Sequence, residues 1–199
     1  TPEENATFKK GLGSINLWYA HPRTTVILLT NELPTGMDYL NKQPYLGRGW
    51  CVAERRMSGI VKHTQCLINA RVLDGSEGKD GDLATLISKG AEQNSEREAP
   101  KAPHKFRKEL EDGIASGDIK FTHPSDVDLV CRIYENAFLD VLGSCEDLDY
   151  SFLGWGDNQI EQLVESVQYY LQTKGPLTNL RRIELHHNNV SDAGLVQLA

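Results

Sequence analysis

The chain has 199 residues, 39% hydrophobic and 25% charged, the balance of a folded globular protein and not of a disordered tail. Its 21 Lys+Arg against 28 Asp+Glu leave a formal net charge of −7. With no basic stripe, that balance excludes a phosphate-backbone binder. Purely apolar runs are short, as at Val26 to Leu29, far below the ~20 residues of a membrane span. Neither a nucleic-acid partner nor a membrane span is therefore expected.

Residues 5–20 repeat apolar groups at Phe8, Leu12, Ile15 and Tyr19, the stripe of an amphipathic helix. His21-Pro22 ends it, because the residue before proline is pushed out of the helical region. Thr24 to Thr30 is almost wholly apolar and rich in β-branched residues, which predicts a central strand buried on both faces of a parallel sheet. A polar loop from Asn31 to Gly49 precedes a helix starting near Trp50, with Ala53, Met57 and Ile60/Val61 on its inner stripe. Gln65 to Leu73 is the next strand candidate. Helix, strand, helix, strand in order predicts an α/β layer architecture.

Asp74 to Asp82 is rich in glycine and charge but places Lys79 and Thr85 where a calcium loop needs glycine and glutamate, so it reads as a solvated loop. Residues 83–89 form a short helical stretch closed by Gly90. Ala91 to Pro103 is polar and proline-punctuated, which predicts a mobile linker. His104 to Asp112 reads as a helix closed by Gly113. A longer helix is capped by Ser125 and stopped at Gly143.

The four cysteines, Cys51, Cys66, Cys131 and Cys145, form no CxxC pair and read as reduced thiols of a reducing compartment. The one His/Cys couple at ligand spacing, His63-x-x-Cys66, supplies two ligands and no site, so no metal is expected. The chain opens at Thr1 and stops at Ala199 inside an amphipathic stretch. That predicts a piece of a longer protein, its N-terminal part missing, and leaves an organelle open beside the cytoplasm as its compartment.

The clearest pattern is Leu180-x-x-Ile183-x-Leu185-x-x-Asn188-x-Val190, which resembles the leucine-rich-repeat template at every fixed position. Ile183 and Leu185 would point into the solenoid, and Asn188 would turn the chain by bonding backbone groups of neighbouring turns. Ser191 to Ala199 resembles the strand-to-helix half of the ribonuclease-inhibitor type. A weaker copy lies upstream, from Leu148 and Tyr150 through Asp157 to Leu163, at an offset of 192 − 157 = 35 residues. Residues 146–175 thus read as an atypical first repeat or a cap, with a helix from Asn158 to Thr173. Arg182, Glu184, His186 and His187 would face a protein partner from the concave strand face.

Arg48-Gly49-Trp50-Cys51-x-x-Glu54, after a helix and a strand, resembles the middle of a Toll/interleukin-1 receptor (TIR) domain. It also resembles the related fungal heterokaryon-incompatibility domain, whose R-G-W-x-x-x-E-x-x-x-S run is matched through Ser58. The resemblance covers about residues 5–73. It implies self-association through the TIR-like part. In the NAD-cleaving members it implies Glu54 as the catalytic carboxylate, stabilising an oxocarbenium-like ribose, with Trp50 as its packing neighbour at the cofactor. The TIR strand and nucleotide loops that would precede the first helix have no room before Thr1.

The expectation is a TIR-like, mainly parallel α/β domain over residues 1–122, then a helix and the start of a leucine-rich-repeat solenoid over 123–199. The expected function is an intracellular protein-interaction or signalling protein, with NAD as a cofactor only under the alternative that follows. The alternative is an NAD-hydrolysing enzyme acting through Glu54.

Overall fold

The computed structural model describes residues 1–73, 83–92 and 97–198. The loop expected at 74–82 and residues 93–96 of the expected linker lie outside these. Among the described residues no helix is long and apolar enough to cross a membrane.

The first amphipathic stretch is two helices, α1 (Pro2–Leu12) and α2 (Ile15–Tyr19). They break at Gly13-Ser14, two weak helix formers, where Ser14 leaves helical geometry. Strand β1 (Val26–Leu28) pairs in parallel with β2 (Leu67–Asn69), Val26 opposite Leu67 and Leu28 opposite Asn69. All of β2 is buried, whereas in and beside β1 only Leu28 is; Ile27 is 59% and Leu29 68% exposed. The expected strand buried on both faces is thus an outer strand covered on one. The reason is tertiary: α4 (Leu83–Glu92) packs on β2, and no described element covers the far face of β1.

Helix α3 (Gly49–Gly59) buries Ala53 and Met57 of the stripe read from the sequence and, beside them, Val52. Helix α5 (Pro103–Ser116) starts on proline and stops at Gly117, whose φ of 84° is the left-handed geometry of a helix end. Helix α6 (Asp126–Ser144) follows. Gly90, Gly113 and Gly143 were expected as stops but sit inside helices. A Cβ there would lie 2.4–2.6 Å from Ile68, Ile119 and Tyr170 respectively, so these glycines admit close packing neighbours.

The linker expectation is overturned for residues 97–103. Arg97, Ala99, Pro100, Ala102 and Pro103 are buried in an extended strap that leads into α5. Buried side chains satisfy its carbonyls: Trp155 Nε1 donates to Arg97 O (2.9 Å), Ser166 Oγ to Pro100 O (2.7 Å) and Tyr134 OH to Lys101 O (2.7 Å). Alanine and proline are poor anchors on a surface, yet they fit a narrow groove without losing side-chain entropy.

Beyond α6 come β3 (Asp147–Asp149), α7 (Asp157–Lys174), β4 (Arg182–Glu184) and the short α8 (Asp192–Val196). Helix α7 follows its expected span within one residue at each end. Strands β3 and β4 pair in parallel with Asp147 opposite Arg182 and Leu148 opposite Ile183. The mixed α/β class therefore holds, but the strands among the described residues form two separate two-stranded parallel pairs, not one mainly parallel sheet. One hydrophobic core joins Val52 and Met57 to Phe106, Tyr134, Phe138, Leu148, Trp155 and Leu163. It crosses residue 122 unbroken, and α3 packs directly on α6.

Candidate functional site

The site begins with the register of β3 and β4. Their offset, 182 − 147 = 35 residues, equals the offset of the repeated sequence pattern. Asn188 joins the two units. Its Oδ1 accepts from Leu153 N (3.1 Å) and Trp155 N (3.0 Å), and its Nδ2 donates to Tyr150 O (2.7 Å) and Leu185 O (2.9 Å). One amide thus uses both of its donors and its acceptor on backbone groups that would otherwise lack partners at a strand end.

The same 35-residue step relates Phe152 to His187. Both carry positive φ (59° and 55°), among the described residues the two non-glycines that do. Their rings stack at 4.3 Å with 17° between planes, and His186 meets Phe152 edge-on at 5.0 Å. Phe152 is 66% exposed, so three rings form an outward aromatic cluster.

Beside it, the face of β3–β4 carries Asp147, Asp149, Arg182 and Glu184. Arg182 Nε bridges Asp147 (3.1 Å) and Glu184 (3.0 Å). Asp149 Oδ2 lies 3.2 Å from His63 Nε2, and its Oδ1 accepts from Ser151 N (3.0 Å). Burial raises the Asp149 carboxyl, but the Ser151 N–H, His63 and Arg97 outweigh it and leave it below the usual carboxylate range. His186 Nδ1 is 2.8 Å from Ser151 Oγ. A cavity of about 570 Å³ is lined by His63, Gln65, Asp149, Ser151, Phe152 and His186. A second, of about 280 Å³, continues along His63, Asp147, Asp149, Arg182 and Glu184 to Pro22. The strand face is therefore a polar groove with an aromatic end.

Of the residues expected to bind a partner, Arg182, Glu184 and His186 line this groove, and His187 stands in the aromatic cluster. Of the residues expected to point inward, Leu185 is partly buried against the core, whereas Ile183 is 39% exposed, because no described element packs beyond β4. His63 stands out in the sequence only as half of a His/Cys couple that makes no metal site, and Asp149, Ser151 and Phe152 do not stand out at all. Extending the 35-residue alignment back from His186 and His187 points to Ser151 and Phe152. Only the fold brings in His63.

Glu54 and Trp50 stand elsewhere. Glu54 is half-buried on α3 beside Cys51, Tyr45 and Tyr19. Burial raises its carboxyl above the usual range, and the hydrogen bond from Tyr19 offsets part of that. Tyr19 is itself pushed up to about 12 by burial and then by the Glu54 charge. The Trp50 indole donates its N–H to Asp126 (2.8 Å) at the start of α6, so its polar edge serves a helix junction.

No protein-family profile, no curated protein and no solved structure matches this chain.

Proposed function

We propose that this chain is an intracellular protein-interaction module, built like the opening of a leucine-rich-repeat solenoid, that holds its protein partner along the β3–β4 groove. The observation that carries this reading is the Asn188 bridge between two parallel strand turns 35 residues apart. It repeats one backbone geometry and so lines up like positions of successive units on one face. The groove supports the same reading: a charged and hydrogen-bonding floor ends in exposed rings, the combination of polar rim and aromatic anchor that dominates protein interfaces. All four cysteines are free thiols, which accords with a reducing compartment. The alternative, NAD hydrolysis through Glu54, rests on the motif alone, and the bond from Trp50 to Asp126 adds nothing to it.

The test is site-specific photocrosslinking in cells, with the photoreactive residue at Phe152 and, as control, at exposed Lys108 on α5. A protein captured from position 152, and lost when Arg182→Glu and His186→Ala are added, is the expected result. Equal capture from both positions, or capture indifferent to those substitutions, would overturn the reading.

A further inference from the structure

Lys62, just past the end of α3, is 0% exposed. Its ammonium donates to three oxygens of the turn between α2 and β1: His21 O, Thr24 O (2.7 Å) and Thr24 Oγ1 (2.9 Å). Among the described residues no carboxylate reaches it. Burial drives its pKa down to about 8; the Cys66 thiol opposes that and the Arg97 charge adds to it. Arg97 is itself buried, donating to Gly59 O (3.1 Å) and Asp149 O (2.7 Å) and stacking on the Tyr150 ring. Taking an ammonium out of water with no counter-anion costs stability even when its N–H groups are bonded.

What this ammonium holds is the end wall of the β3–β4 groove. Pro22 sits inside the turn that Lys62 fastens, and Val61 and His63 are the chain neighbours of Lys62. All three line the 280 Å³ cavity together with Asp149, Arg182 and Glu184. The residues around Lys62 are tied to β3 and its extension: Tyr150 OH donates to Ile60 O (2.5 Å), and His63 Nε2 meets Asp149 Oδ2 (3.2 Å) while its Nδ1 accepts from Gln65 N (3.2 Å). Residues 60–63 therefore bridge from β3 to the 21–24 turn, and Lys62 is the link on the turn side. Thr24 Oγ1 also donates to Trp18 O (2.6 Å), which carries the tie on to α2.

We propose that Lys62 is a positioning residue for partner binding: its buried ammonium seats Pro22 and His63 as the end wall of the β3–β4 groove, so that the wall is in place before the partner arrives. This role rests on reading that groove as the seat of a protein partner. A wall already fixed does not have to be ordered on binding, and that gain offsets the cost of the buried charge. Functional sites are where proteins keep local costs of this kind. A brace for the fold alone would alter stability and leave the groove's hold on a partner untouched in any variant that still folds.

The test pairs two measurements on the full chain. In thermal scans the Tm of the wild type should gain on that of Lys62→Met as pH rises from 7 to 10, because the native ammonium gives up its proton near pH 8 and the unfolded one keeps it to about 10.5. A difference that stays constant over this range would overturn the buried, uncompensated charge and with it the role. In photocrosslinking from position 152 in cells, the capture given by the wild type should fall about fivefold in Lys62→Met, the worth of ordering one or two side chains. Thr24→Val, which removes one acceptor and spares the lysine, is the milder variant and should lower capture in the same sense, whereas Thr24→Ser keeps the hydroxyl and should retain it. Undiminished capture in folded Lys62→Met or Thr24→Val would overturn the role of Lys62 and leave the groove standing. Absence of capture from the wild type as well would overturn the groove reading itself, and this inference with it.

Discussion

Replacing Asn188 with alanine strips four hydrogen bonds from the junction of β3 and β4 at once. The amide is half-buried, so water reaches some of the four backbone groups left behind. At about 0.5–1.5 kcal/mol for each net hydrogen bond, the expected loss is about 2–4 kcal/mol. In a chain of this length each kcal/mol moves Tm by about 2–4 °C, so the midpoint should fall by about 5–15 °C. Aspartate should not rescue it: a carboxylate keeps the acceptor for Leu153 and Trp155 but sets an anion against the carbonyls of Tyr150 and Leu185. Urea denaturation yields the free energy, and hydrogen exchange localises it. The Leu153 and Trp155 amides should lose protection while those of α5 do not. A loss under about 0.5 kcal/mol, or unchanged exchange at both amides, would refute the claim that this side chain joins the two units.

Glu54→Gln should raise stability at neutral pH. The native carboxyl binds its proton more tightly than the unfolded one, so the wild type loses stability as pH rises from the ordinary glutamate value through the native one. The Tm difference between variant and wild type should therefore grow from pH 4 to pH 7, as followed by thermal scans; a constant difference contradicts it. Gly49→Ala would place a Cβ 2.2 Å from the buried Phe121 ring and should cost about 1–3 kcal/mol by overpacking, with Phe121→Leu in the same background recovering part of it in urea melts. Trypsin should not cut after Arg97 or Lys101 in the native chain, since the strap is buried and its carbonyls are bonded. Cleavage there at a rate independent of added urea, read by mass spectrometry, would count against that packing.

Much of this architecture is local chemistry and could be read from the residues in order. The stripe Ala53, Met57 and Ile60 marks α3 because apolar spacing near 3.6 has one helical solution. The step of 35 residues anticipates the β3–β4 register because Asn188 must reach back to the preceding turn, and the chain between them is one helix and its loops. The face holding Arg182, Glu184 and His186 follows from strand alternation. What no local pattern carries is which surfaces meet. Ala91 to Pro103 has a linker's composition, yet residues 97–103 lie buried because Trp155, Ser166 and Tyr134, far along the chain, donate to its carbonyls. Thr24 to Thr30 has the composition of a central strand, yet its outer face stays open because α4 covers β2 instead. Arg97 looks like one more surface arginine; it becomes a buried cation only because β3, α3 and Tyr150 close around it. Periodicity and turn chemistry are set within a few residues, whereas burial and charge pairing are set by contacts between segments distant in sequence, and those exist only once the chain has folded.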